Sequence, residues 1–242
     1  MSKTDTLYST SRAVQSAFQF NNDVAEVFTD MITRSVPGYT LMLDVLGVLA
    51  EQIVKDNDTC YDIGCSLGAS TLALRQNIFA ENCHIIAVDS AKAMLERCEK
   101  VLERDNSKTP VTLTCEKAQQ LTFQPMKLCS MNLTLQFIPQ DERLALLQHI
   151  AQHTVEGGAL FLSEKVIFDD TFKQNELTDL HHQFKKHQGY SDLEIAQKRQ
   201  SIENVLVPES IEAHKQRLLD AGFSKVILAL QCFTFVGFIA YK

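Results

Sequence analysis

The chain has 242 residues, 45% of them hydrophobic, and a formal net charge of -7. That length and apolar share suit one large core, and the acidic balance argues against a broad non-specific grip on nucleic acid. No apolar run approaches the ~18–20 residues that span a bilayer, and the opening MSKTDTLYST has no apolar signal core, so a cytoplasmic protein outside any membrane is expected. Residues 1–20 read as an arm in which Ala17, Phe18 and Phe20 are apolar enough to dock. Val24, Val27, Phe28, Met31 and Ile32 then fall on one face of a helix, with Asn22 as the expected cap. Pro37-Gly38 breaks the chain, and Tyr39 to Val54 resumes a helical pattern.

Strand-like and helix-like runs alternate from there. Strands are predicted at Thr59 to Ile63, Cys83 to Val88, Val111 to Cys115, Met126 to Leu133 and Ala159 to Glu164. Helices are predicted at Ser70 to Phe79, Ala91 to about Arg104 and Asp141 to His153, and Gly157-Gly158 is read as a turn. Residues 171–207 depart from the alternation and read as a helical insertion covering the upper edge of the sheet. Phe172, Leu177, Leu180 and Phe184 mark its first helix, Gly189 a break, and Asp192 to about Asn204 a second helix. Pro208 is expected to open a further helix that stops at Ala221-Gly222. Val226 to Leu230 and Phe233 to Tyr241 are closely connected strands, hence an antiparallel pair at the end of the sheet. The pattern specifies an α/β, doubly wound, seven-stranded mostly parallel sheet with an antiparallel C-terminal strand, and one Rossmann-like domain over residues 21–242.

The sharpest local signal is Asp62-Ile63-Gly64-Cys65-Ser66-Leu67-Gly68, between a strand and a helix. Gly64 permits a tight turn, and the amides of such a turn can face a ligand. The spacing Gly64-x-Ser66-x-Gly68 does not fit the dinucleotide pattern. Asp62 stands where a carboxylate can bind an ammonium group, which suits S-adenosylmethionine better than a phosphate. Asp89 directly follows Ile85-Ile86-Ala87-Val88, and its two oxygens can accept both ribose hydroxyls or cap the next helix. Asn132, at the end of the fourth strand, offers a donor and an acceptor over the same crevice. The seven cysteines lack paired metal-ligand spacing and read as free, mostly buried thiols in a reducing compartment. His181, His182 and His187 complete no metal site and read as packing or surface residues. Glu164-Lys165 reads as a pair shaping the crevice floor, and Lys185-Lys186-His187 as a solvated face or dimer rim.

The loop Asp62 to Ala69 resembles that of the carboxy-S-adenosylmethionine synthases. So do Val24 to Phe28, Arg34-Ser35-Val36-Pro37-Gly38-Tyr39, Leu133 to Phe137, Leu162-Ser163-Glu164-Lys165, His181 to Lys185, Gly189-Tyr190-Ser191, Gln197-Lys198-Arg199, Glu203-Asn204-Val205 and Gln231-Cys232-Phe233. The resemblance runs from about residue 5 to the end of the chain. It implies the class I S-adenosylmethionine-dependent methyltransferase fold, a homodimer and no metal. It further implies conversion of S-adenosylmethionine and prephenate to carboxy-S-adenosylmethionine and phenylpyruvate. The product would pass to a separate tRNA carboxymethyltransferase, with no direct nucleic acid binding here.

By the same resemblance Tyr39, Gly64, Cys65, Ser66, Asp89, Ser90, Ala118 and Asn132 contact the cofactor. Arg199, from the partner subunit, binds the added carboxylate through its planar guanidinium. Tyr39 and Arg199 are the expected catalytic pair. Two departures stand out: Lys117-Ala118 replaces Asp-Ile at the adenine, and Ser90 replaces Asn. Lys117 cannot accept from an adenine amino group, so weaker adenine binding is expected. The rival readings are an ordinary methyltransferase and a catalytically weakened S-adenosylmethionine-binding protein.

Overall fold

A computed structural model describes residues 3–9, 19–202 and 205–242. Ala17, Phe18, Glu203 and Asn204 lie outside the described residues. Two helices come first, α1 (Asn22–Ser35) and α2 (Tyr39–Ile53). Asn21, not Asn22, caps α1, its Oδ1 accepting from Val24 N at 3.1 Å. Such a cap is worth about 1 kcal/mol over alanine.

The alternating segment is β1 (Thr59–Ile63), α3 (Ala69–Asn77), β2 (His84–Asp89), α4 (Lys92–Leu102), β3 (Val111–Cys115), β4 (Met126–Asn132), α5 (Gln140–His153) and β5 (Thr154–Ile167). The chain ends with α6 (Thr171–His187), α7 (Asp192–Ile202), β6 (Glu209–Ser210), α8 (Ile211–Asp220), β7 (Lys225–Cys232) and β8 (Phe235–Tyr241). The main sheet runs β3-β2-β1-β4-β5-β8-β7, with β8 antiparallel to both neighbours and all other pairings parallel. The doubly wound fold expected from the sequence is therefore present, with β6 as an additional two-residue strand on β5.

Two further expectations need correction. Gly157-Gly158 is no turn between elements: β5 begins at Thr154, and the pair sits inside it where the β4 register shifts. Gly157 has φ +67, and a Cβ on Gly158 would stand 2.7 Å from Lys127 O, so the bulge demands these two glycines. Pro208 does not open α8. It precedes β6, and Ser210 caps the helix by accepting from Ala213 N at 3.1 Å.

Period-two alternation divides the core between the two faces of the sheet. Cys60, Leu128, Ala159 and Phe161 pack with Met42, Leu46 and Leu74 of α2 and α3. Tyr61, Ile63, Leu160, Leu162 and Phe238 pack with Leu147, Ile150 and Leu218 of α5 and α8. Each fully buried leucine or phenylalanine here stabilises the fold by about 1.5–3 kcal/mol. β1 connects to β2 on one side while β4 lies on its other side, so a crevice opens at the carboxyl ends of β1 and β4. Ligands of open α/β sheets bind at such a switch point.

Candidate active site

A cavity of about 860 Å³ occupies that crevice. Tyr39, Gly64, Cys65, Ser66, Asp89, Ser90, Ala118, Asn132 and Arg199 all line it. Residues predicted from six separate stretches of sequence are thus brought to one place. Arg199, expected from a partner subunit, lines the cavity of its own chain.

The loop after β1 works differently from the expectation. Gly64 N and Cys65 N both donate to Val88 O, at 2.8 and 2.9 Å, and Gly68 N donates to Cys65 O at 2.8 Å. Ser66 N donates to Asp89 Oδ2 at 2.9 Å. These four amides are spent on holding the loop, so they are not aimed at a ligand. Gly64, Ser66 and Gly68 have φ of +76, +50 and +86. A Cβ on Gly64 would collide with the Thr134 hydroxyl, which makes glycine obligatory there.

Asp62 also departs from its predicted role. It is 1% exposed and does not line the cavity. Thr71 Oγ1 donates to Oδ2 at 2.6 Å and Ser130 Oγ to Oδ1 at 2.7 Å, so this carboxylate ties β1 to α3 and β4. Burial pushes it up to about 6 despite those two bonds. Alternation along β1 turns it toward the core, because Asp62 precedes the loop by two residues.

Asp89 lines the cavity and does not cap α4, whose N-cap residue is Ala91, with no side-chain cap bond. Besides Ser66 N, it accepts from Ala91 N at 2.8 Å through Oδ1. Desolvation raises its pKa, and the two backbone amides oppose that rise. Each carboxylate oxygen retains capacity for a further donor, which is what a ribose diol requires. Asn132 is fixed on two sides: its Nδ2 donates to Ser70 Oγ at 3.1 Å, and its Oδ1 accepts from Ser163 Oγ. Where the adenine is expected, Ala118 opens a short 3-10 turn (Ala118–Gln120), and among the described residues its amide has no acceptor. Lys117 is exposed beside it and also lines the cavity.

The far wall comes from the helical insertion. Gln174, Thr178, His181, His182 and Lys185 line the cavity from one face of α6. The Arg34 to Tyr39 segment fastens this insertion to the domain. Ser35 O accepts from His181 Nε2 at 2.8 Å, and Ser35 Oγ accepts from Lys198 Nζ at 2.8 Å. Arg34 Nε donates to Gln188 O at 2.7 Å, and its guanidinium stacks 4.0 Å from the Tyr190 ring centroid. Gly38 turns the chain at φ +79 so that Tyr39 begins α2 at the cavity wall. Burial lowers His181 to about 3 and Lys198 to about 7.

Glu164 and Lys165 do not form a pair. They are neighbours on a strand and face opposite sides. Glu164 accepts from Leu135 N at 2.9 Å beneath the loop after β4, whereas Lys165 lines the cavity. Lys185 is likewise no rim residue. Its place was legible in the i, i+4, i+7, i+8, i+11 spacing from Gln174 to Lys185, which the sequence reading passed over in favour of the adjacent Lys186-His187. Lys186 does fit a solvated face, pairing with Asp192 at 2.6 Å. Among the described residues, no group of three or more His, Cys, Asp or Glu side chains could hold a metal ion.

The comparisons first define a class. A family profile described as a methyltransferase domain matches residues 61–158. An O-methyltransferase family protein from Burkholderia thailandensis superposes with a TM-score of 0.62 at 14% identity, covering 91% of this chain and 59% of that one. The mycolic acid cyclopropane synthase CmaA1, crystallised with SAH and CTAB, gives 0.56 at 11% identity over 78% of this chain and 62% of its own. The fold is that of the S-adenosylmethionine-dependent methyltransferases. Sequence relatives narrow the class. The carboxy-S-adenosyl-L-methionine synthase of Hahella chejuensis is 50% identical, covering 98% of each chain. That of Pseudomonas syringae is 50% identical over 99% of each. This chain belongs to the carboxy-S-adenosyl-L-methionine synthase family.

Proposed function

We propose that this enzyme makes carboxy-S-adenosyl-L-methionine from S-adenosyl-L-methionine and prephenate, releasing phenylpyruvate and water, the hydroxyl lost from prephenate taking the proton lost from the sulfonium methyl. The observation that carries the reading is one cavity lined by Asp89, Ala118 and Asn132 and by an arginine, Arg199, that has no ion pair among the described residues. An ordinary methyl transfer has no use for a cation at that place. The cavity residues fit the cofactor: Ala118 offers an unspent amide, Asp89 unspent lone pairs, and Tyr39 a hydroxyl with no partner among the described residues. When bound, S-adenosyl-L-methionine supplies a methyl carbon activated by its sulfonium.

The protein's own contribution is positional. Asp89 orients the ribose, the Ala118 amide meets the adenine edge, and Asn132 faces the sulfur end. Arg199 receives the new carboxylate, and Tyr39 adds a hydroxyl donor. The α6 and α7 wall keeps water from the reacting carbon. The same reading includes a homodimer, hand-over of the product to a separate tRNA-modifying enzyme, and a cytoplasmic setting. The last is supported by seven cysteines that are all unpaired and by the lack of any membrane-spanning helix among the described residues. Incubation with both substrates, followed by mass spectrometry of the nucleoside product, tests the reaction. A gain of one carboxyl group is expected; S-adenosyl-L-methionine recovered unchanged would defeat it.

A further inference from the structure

The wall of the cavity opposite Asp89 holds cations without acids. Lys165 lies two residues before the end of β5 at Ile167, Lys185 lies on the cavity face of α6, and Arg199 is on α7. Among the described residues, none of these three side chains makes an ion pair or hydrogen bond, whereas neighbouring Lys198 is held by Ser35. The acids lining the cavity are Asp89, Glu116 and Glu142, on the β2, β3 and α5 side. Asp89 is committed to two amides and Glu142 accepts from Gln119 at 2.7 Å. From β2 to β5 the sheet steps across three strand spacings, roughly 14 Å. A group held at Lys165 is therefore not the one held at Asp89.

A second observation lies beside Lys165. Thr234 is 1% exposed, lines the cavity, and its Oγ1 has no partner among the described residues. It directly precedes Phe235, which is the cross-strand partner of Lys165. Buried hydroxyls are rarely left without a partner, and half-buried ammonium groups that repel one another are costly unless an anion joins them. Burial, then repulsion from the Lys165 and Arg199 charges, lowers Lys185 to about 8; burial and Arg199 lower Lys165 too. The flanking His181 and His182 are shifted toward the neutral form and supply no negative charge.

We propose that Lys165 and Lys185, with the Thr234 hydroxyl, form a carboxylate subsite that anchors the second substrate. This rests on the reading that the second substrate carries carboxylates. Two lysines act as point charges that hold a retained carboxylate without fixing its plane, while the planar fork of Arg199 is left for the carboxylate built on the methyl carbon. A keto-acid product that retains its carboxylate occupies the same subsite and inhibits competitively.

The test uses Lys165→Met and Lys185→Met in the full chain. Phenylpyruvate is titrated by calorimetry into wild type and variants saturated with SAH, SAH affinity is measured separately, and KM and kcat are determined for prephenate. Each variant is expected to weaken phenylpyruvate binding and raise KM about ten-fold or more, with kcat and SAH affinity changed less than about three-fold. Removing an unpaired, half-buried charge relieves a desolvation cost, so the melting temperature is expected to equal or exceed that of wild type. Wild type that fails to bind phenylpyruvate, or folded variants that bind it as well, would overturn the subsite. Lost SAH affinity would overturn it too, by assigning the lysines to the amino-acid carboxylate of the nucleoside. If wild type binds phenylpyruvate through these lysines yet leaves prephenate unconverted, the subsite stands and the proposed reaction falls.

Discussion

Asp89 closes the cofactor loop and faces the cavity with the same carboxylate. On the proposed function its removal therefore acts twice, freeing Ser66 N and Ala91 N and withdrawing the acceptor proposed for the ribose. Asp89→Ala is expected to weaken S-adenosyl-L-methionine binding at least about ten-fold, in line with losing charge-assisted hydrogen bonds of about 1.5–3 kcal/mol. Calorimetric titration measures this, and unchanged affinity would remove Asp89 from the ribose site. Lys117 lines the cavity where the proposed function puts the adenine, and there a donor cannot accept from an amino group. Lys117→Asp restores an acceptor and is expected to tighten binding several-fold, roughly 1 kcal/mol. Equal affinity in the same titration would show that the Ala118 amide alone suffices. The sequence revealed Asp89 through its position at a strand end, and Lys117 only as a departure from the family that the chain resembles. It hid the part played by Asp62, because strand alternation decides which of two nearby acids meets the ligand, and Thr71 and Ser130 claim this one from distant stretches of chain.

Elements rather than single residues hold the basic wall. α7 carries Lys198 and Arg199, and it is strapped from the N-terminal side: Tyr190 Oη donates to the buried Asp5 at 2.6 Å, Asp5 N donates to Asp30 Oδ2 at 2.7 Å, and Tyr8 Oη lies 3.0 Å from Ser201 Oγ. Tyr190→Phe leaves the Asp5 carboxylate short of a donor and is expected to cost about 1–3 kcal/mol of stability by urea denaturation. No loss would mean that the strap is not coupled to the fold. Sequence periodicity located α6 and α7 well, yet it could not show that Arg34 and Ser35 bind them, since those contacts span about 150 positions and depend on tertiary packing. Beneath the wall, burial pushes Glu164 up to about 8. Its folded-state pKa exceeds the unfolded value, so the folded chain retains a proton that the unfolded chain has lost. Stability is therefore lost as pH rises from about 4.5 to 8. Glu164→Gln is expected to flatten that slope between about pH 5 and pH 8, with a residual part from Asp62, which is raised to about 6. Parallel slopes in wild type and variant would show Glu164 to be ionised in the fold.

At the scale of the whole molecule, strand and helix order was readable because buried parallel strands are short apolar runs separated by amphipathic helices. Boundaries went astray at Gly157-Gly158 and Pro208, where a bulge and a two-residue strand obey pairing with β4 and β5 rather than local turn chemistry. The cavity itself unites Tyr39 with Arg199 across most of the chain, and the space lies at the carboxyl ends of the paired strands β1 and β4, where the strand order switches direction. The central claim is that a carboxyl group leaves one small molecule and joins another inside this space without escaping to water. Isotope-labelling the carboxylate that prephenate loses, and running the reaction in unlabelled bicarbonate, measures this directly. The label is expected in the nucleoside product in nearly full amount; a product carrying unlabelled carboxyl, or only SAH beside a methylated acceptor, would contradict it.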